Sequence, residues 1–165
     1  MATRKYIMDG STATKKIQRL AYEILENNTE EKAIILAGIR ENGVVIAKHI
    51  QQYLNEISNI NTELITIYLD KKNPQIVTLN RENGFDNKVI IIIDDVANSG
   101  KTMLHAMKPF LAHNPNKIQT LVLVDRTHKK FPVHPDYRGL SVATTLQEHI
   151  VVDVENNKVQ GAWME

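Results

Sequence analysis

Residues 89 to 102 read Val-Ile-Ile-Ile-Ile-Asp-Asp-Val-Ala-Asn-Ser-Gly-Lys-Thr, and no other stretch narrows the fold so far. A continuous run of β-branched residues has no polar side to offer water, so a strand made from it is covered on both faces. Strands of that kind belong to parallel sheets sandwiched between helices. AIILA (33–37), ELITIYL (63–69), QTLVLVD (119–125) and HIVVDV (149–154) supply further apolar strands. Between them, residues 13–27 and 44–57 carry apolar side chains at helical spacing. Ser11 or Thr12 is positioned to cap the first helix, and Asn27-Asn28 to end it. A third helix is expected from Thr102, kinked or shortened by Pro109. The fold class predicted is α/β: a doubly wound, mainly parallel sheet flanked by helices, with 1–165 as a single domain.

Bulk properties exclude more than they identify. Twenty basic and nineteen acidic residues leave a formal charge of +1, which gives no global electrostatic argument for nucleic acid or membrane. Cysteine is absent, ruling out disulfides and thiolate metal sites, and the six histidines show no metal-ligand spacing. No segment has signal-peptide or membrane-span character, so a soluble, cytoplasmic protein is expected.

In doubly wound folds ligands bind outside the carboxyl ends of the strands. That singles out the loops 38–43, 95–102 and 125–139. The end of the opening stretch, Gly100-Lys101-Thr102, imitates a Walker A loop, but that motif needs a glycine where Asp95 stands. A second reading keeps both acids. A short loop entering a helix exposes backbone N–H groups able to hold a phosphate, aided here by the hydroxyls of Ser99 and Thr102. Asp94 and Asp95 just before it can accept hydrogen bonds from paired hydroxyls. Phosphate cradle and diol acceptor together describe a ribose 5-phosphate.

IIIDDVANSGKT resembles the phosphoribosyl-pyrophosphate motif of type I phosphoribosyltransferases. The likeness extends over IQRLAYEILENN, GIRENGVVIAKHI and VLVDRTHKKFPVHPDYRG, where the chain is similar to the PyrR family. Those proteins combine uracil phosphoribosyltransferase activity with regulation of pyrimidine operons through messenger RNA. The resemblance implies Asp94, Asp95 and Arg40 as the catalytic set, with Mg2+ near the two aspartates, held through water. It assigns Ala97, Asn98, Ser99, Gly100, Lys101 and Thr102 to the 5-phosphate, and Ile39, Glu41, Asn42 and Gly43, with Arg40, to the pyrophosphate loop. Residues 125–139 and 141–144 match the part that covers the base, giving Arg126, His128, Val142 and Ala143, with His134 nearby. The partners implied are phosphoribosyl pyrophosphate, uracil or UMP, and a second copy of the chain in a homodimer or larger assembly.

The pattern departs from the family in three places. The 6-oxopurine members usually carry an acid at the position of Asn98 and a lysine at that of Asp125; both differ here, which favours uracil. PyrR proteins usually have an aromatic residue where this chain has Asn98. Their lid begins Tyr-Arg-Asp-Asp, whereas this chain reads Tyr68-Leu69-Asp70-Lys71-Lys72, leaving Lys71 or Lys72 to replace the arginine's charge. The alternative function is a UMP-sensing, RNA-binding regulator with little or no turnover, for which Lys15, Lys16 and Arg19 are the candidate basic cluster.

Overall fold

The computed structural model describes residues 4–145 and 147–165. Its elements in chain order are β1 (Lys5–Asp9), α1 (Gly10–Asn27), β2 (Ala33–Ile39), α2 (Asn42–Ile57), β3 (Asn61–Tyr68), β4 (Thr78–Leu79), β5 (Val89–Ala97), α3 (Lys101–Ala106), α4 (Lys108–Leu111), β6 (Lys117–Arg126), β7 (Tyr137–Val142), β8 (Ile150–Glu155) and β9 (Lys158–Met164). A six-stranded sheet runs β4-β3-β2-β5-β6-β7, parallel throughout except for the short β4 at its edge. The predicted α/β, mainly parallel fold is therefore present, with β5 next to the centre.

The opening run explains itself once β5 is in place. Val89, Ile91 and Ile93 point to the face covered by α1 and α2, against Leu20, Ile24, Ile46 and Ile50. Ile90 and Ile92 point the other way, toward Phe85, Met103 and Phe110. Side chains alternate across a strand, so a strand wedged between two cores needs apolar residues at every position. Phe85 and Phe110 meet edge to face, their ring centroids 5.2 Å apart.

Several local expectations are corrected. The first helix is capped by Asp9, whose Oδ1 accepts from the Thr12 N–H at 2.7 Å, and not by Ser11 or Thr12. The cap moves because the chain enters through β1, a strand with little apolar alternation that is ordered by pairing with β9. Asn28 does end the helix. Strand β2 continues to Ile39, so the turn before α2 shrinks to Arg40 and Glu41. The third helix breaks at Met107, with Pro109 in the first turn of α4, as the proline predicts.

A three-stranded antiparallel sheet, β1-β9-β8, was not foreseen, and neither were β4 and β7. It joins the first strand of the chain to the last two, a pairing no local window can display.

Candidate active site

At the carboxyl end of β5, Asp94 and Asp95 stand on adjacent residues and so begin on opposite faces of the strand. They and the loop behind them line a cleft of about 430 Å³, together with Asn42, Lys71 and residues 149–152. The cleft takes in Ala97, Asn98, Ser99, Gly100, Lys101 and Thr102, so the acids and the whole predicted phosphate loop face one space.

The acids are fixed by short bonds. Asp94 Oδ1 accepts from the Asp95 N–H at 2.8 Å, and Asp95 Oδ1 from the Val96 N–H at 2.8 Å. Asn42 Nδ2 donates to Asp95 Oδ2 at 2.9 Å and to the Val152 carbonyl at 3.2 Å, which ties the start of α2 to both β5 and β8. Lys71 Nζ lies 3.1 Å from Asp94 Oδ1 and 3.6 Å from Asp95 Oδ1. Burial pushes the Asp94 carboxyl well above the ordinary carboxylate range, and the neighbouring Asp95 pushes the same way, against the pull of Lys71. Burial also works against the Lys71 ammonium, but Asp94 and Asp95 outweigh it and hold its pKa above that of a free lysine.

Gly100 sits at φ 90°, and a Cβ there would press on the Phe131 and Val133 carbonyls at 3.2 and 3.4 Å. The turn into α3 therefore requires glycine. Because α3 has only six residues, its dipole is short, and individual N–H groups carry most of any anion binding. Asn98 Oδ1 is buried without a hydrogen-bond partner.

The other predicted residues fall into three groups. Arg40 and Glu41 line a neighbouring cleft of about 510 Å³ that shares Asn42 with the first. Arg40 is 60% exposed, 3.8 Å from Glu41 and over the Tyr68 ring, and so is free to swing. The Arg40–Glu41 peptide is cis. Ile39 and Gly43 flank that turn: the Ile39 side chain is fully buried, and a Cβ on Gly43 would collide with the Ile93 carbonyl of β5. Arg126, His128, Val142 and Ala143 are not among the described residues that line the first cleft. Arg126 is buried and donates to the Thr145 carbonyl at 3.0 Å, bracing the chain after β7. Residues 129–131 lie against the phosphate loop, with Lys129 Nζ bonded to the Ala97 carbonyl and the Lys130 and Phe131 N–H groups to that of Ser99.

Sequence reasoning missed the wall formed by His149, Ile150, Val151 and Val152. It becomes part of the site only because β8 pairs with β9, and nothing local in HIVVDV signals it. Of the candidate basic cluster, Arg19 is engaged elsewhere: its Nη2 donates to the Arg138 and Gly139 carbonyls at 2.8 and 2.9 Å, tying α1 to β7. No helix among the described residues is long and apolar enough to cross a membrane.

The chain that builds this sheet and loop matches the model of the phosphoribosyl transferase domain over residues 4–157. The chain belongs to the type I phosphoribosyltransferase family. Within it the chain is a homologue of the PyrR proteins. It is 33% identical to the Bifunctional protein PyrR of Streptococcus pneumoniae strain CGSP14 over 156 residues, 91% of this chain and 90% of the relative. The PyrR of S. pneumoniae serotype 4 gives the same figures, 33% over 156 residues.

Solved structures share the fold at low identity. A hypoxanthine-guanine phosphoribosyltransferase from Bacillus anthracis superposes with a TM-score of 0.76 at 17% identity, covering 96% of each chain. The hypoxanthine phosphoribosyltransferase of Trypanosoma cruzi gives 0.72 at 13%, covering 84% of this chain and 81% of that one.

Proposed function

We propose that the chain transfers the phosphoribosyl group of phosphoribosyl pyrophosphate to uracil, giving UMP and pyrophosphate. The observation that carries this reading is the joint placement of Asp94, Asp95 and residues 97–102 around one cleft, with Asn42 and Lys71 on its rim. In the reaction the bond from the anomeric carbon to pyrophosphate breaks, a bond to uracil N1 forms, and the N1 proton leaves to solvent. Asp94 and Asp95 accept the ribose hydroxyls, and the loop 97–102 receives the 5-phosphate through its amides and the Ser99 and Thr102 hydroxyls. Arg40 swings over the departing pyrophosphate from the adjoining cleft, with Glu41 and Asn42 at the same turn. Positioning supplies most of the rate.

Mg2+ binds through one or two carboxylates, waters and substrate phosphates, and the adjacent acids of this site fit that donor set. When bound, the ion neutralises charge developing on the pyrophosphate. Lys71 adds a cation of the chain's own beside those acids.

Uracil is the preferred base because Asn98 is an amide, able to donate and to accept, where the 6-oxopurine members carry an acid. Its Oδ1 is buried and unpartnered, so a turn of the side chain into the cleft breaks no bond of that oxygen and offers it to an N–H of the base. The base then rests between Asn98 and the wall at 149–152. Arg126, His128, Val142 and Ala143, at and beyond the ends of β6 and β7, complete the cover expected over the base. The assembly carried by this reading is a homodimer, checked by sedimentation.

The test is a panel of uracil, hypoxanthine, guanine and orotate, each supplied with phosphoribosyl pyrophosphate and Mg2+. Uracil alone is expected to yield a nucleotide. Turnover of a purine instead would overturn the choice of base, and turnover of none, with no binding of UMP, would overturn the reading as a whole. A gel shift on pyrimidine-operon leader RNA, with and without UMP, tests the regulator reading, which rests on Lys15 and Lys16 now that Arg19 is tied to β7.

A further inference from the structure

The loop predicted to hold phosphate is held in part by its own bond, from the Lys101 N–H to Ser99 Oγ at 3.2 Å, and in part from outside. Lys129 Nζ donates to the carbonyls of Ala97 at 3.0 Å and Asn98 at 3.3 Å, and to Asp125 Oδ1 at 2.5 Å. Its side chain is only 6% exposed, and that of Asp125 2%. Two backbone bonds continue the row, from the Lys130 and Phe131 N–H groups to the Ser99 carbonyl, both at 3.1 Å. Three consecutive carbonyls of the loop are thus captured on one side by residues 129–131.

A trans peptide points its C=O and the following N–H in opposite directions. Capturing the Asn98 and Ser99 carbonyls therefore turns the N–H groups of Ser99 and Gly100 away from residues 129–131. Neither amide donates to another group of the described residues. Ser99 and Gly100 both line the 430 Å³ cleft, so the side toward which these amides turn is the side where an anion would sit. An ammonium is needed at 129 because three acceptors converge there, and a lysine offers three donors to satisfy them. Asp125 at the end of β6 compensates the buried charge through Oδ1, while its Oδ2 faces Arg138 at 3.5 Å.

We infer that Lys129 is a positioning residue for the phosphorylated substrate: it aims the loop's amides at the 5-phosphate without touching it. The inference rests on the reading of residues 97–102 as a phosphate cradle. It predicts that Lys129 governs affinity for the phosphate and leaves the affinity for the base unchanged.

The experiment compares UMP with uridine by calorimetry, and KM for phosphoribosyl pyrophosphate with KM for uracil, in wild type, Lys129→Met and Lys129→Arg. Lys129→Met is expected to weaken UMP by about 10- to 100-fold, the scale of lost charge-assisted hydrogen bonds, and to leave uridine within about twofold. Lys129→Arg, which keeps the charge and several donors, is expected to restore most of the loss. Because Lys129→Met strands the Asp125 carboxylate, the double variant with Asp125→Asn is measured beside it. Equal weakening of UMP and uridine, or no weakening of either, would overturn the inference.

A measurement on wild type serves even where the variants do not fold. The amide resonances of Ser99 and Gly100 are expected to shift with ribose 5-phosphate and not with ribose, and their staying still while other signals move would sink the inference. Failure of wild type to bind UMP or ribose 5-phosphate at all would instead overturn the cradle reading beneath it.

Discussion

Lys71 Nζ lies between the two aspartates at the end of β5, 3.1 Å from Asp94 and 3.6 Å from Asp95. The cation comes from the segment after β3, where PyrR proteins usually carry an arginine and this chain has Leu69. Lys71 thereby holds the place that ribose hydroxyls and an accompanying cation take in the proposed complex, and it must give way as substrate enters.

The pairing fixes a pH dependence. Burial, with Asp95 adding to it, raises the Asp94 pKa in the folded state. A raised carboxyl favours the folded state below its unfolded pKa of about 4, and that contribution is lost as pH rises through the folded value. Lys71 limits the loss by pairing with the carboxylate. Lys71→Met is expected to cost about 1 kcal/mol at pH 7.5, well under the value for a fully buried pair because the lysine is 45% exposed. The deficit in Tm should shrink toward pH 4, where Asp94 is protonated. Thermal melts at both pH values check this, and an equal deficit at each would contradict it.

Asp94→Asn separates stability from function. It removes a buried charge beside another carboxylate, so Tm at pH 7.5 should hold or rise, while affinity for phosphoribosyl pyrophosphate falls about 10- to 100-fold. A clear drop in Tm would show that the carboxylate is a structural necessity.

Asn98→Asp places an acid where the 6-oxopurine enzymes have one. Uracil turnover is expected to fall about tenfold or more, with hypoxanthine or guanine turnover appearing above background. The four-base panel reads both changes, and an unaltered preference for uracil would remove Asn98 from the base site.

Arg19→Ala tests whether the basic residues of α1 serve RNA or the fold. Loss of the bonds to the Arg138 and Gly139 carbonyls should cost about 1 kcal/mol, with kcat unchanged. Weaker RNA binding without any loss of Tm would reverse that assignment.

Gly43→Ala forces a Cβ into the Ile93 carbonyl and so pushes the start of α2 away from β5. A destabilisation of about 1–3 kcal/mol is expected. The Asn42 to Asp95 bond should loosen with it, raising KM for phosphoribosyl pyrophosphate, which steady-state kinetics will show.

Local patterns carried a large part of this molecule. Five β-branched residues in a row required an inner strand, and their placement between two cores is what β5 shows. Two acids followed by Ala-Asn-Ser-Gly-Lys-Thr marked the cleft, because turn chemistry and the spacing of acids and amides are properties of adjacent residues. Asn28 and Pro109 ended their helices for equally local reasons.

What tertiary structure alone decided depends on residues far apart in the chain. Lys5–Asp9 becomes a strand only by pairing with Lys158–Met164, and that sheet brings His149–Val152 to the cleft wall. Lys71 meets Asp94 across 23 residues, and the hydrogen bond between Asn42 and Asp95 spans 53. Lys129, within the segment 125–139 expected to cover the base, lies against the carbonyls of Ala97 and Asn98, because a buried ammonium goes where acceptors converge. Sequence by itself determined which residues the proposal sets around a phosphoribosyl group; only the fold decided which side chains pair with them and which hold them in place.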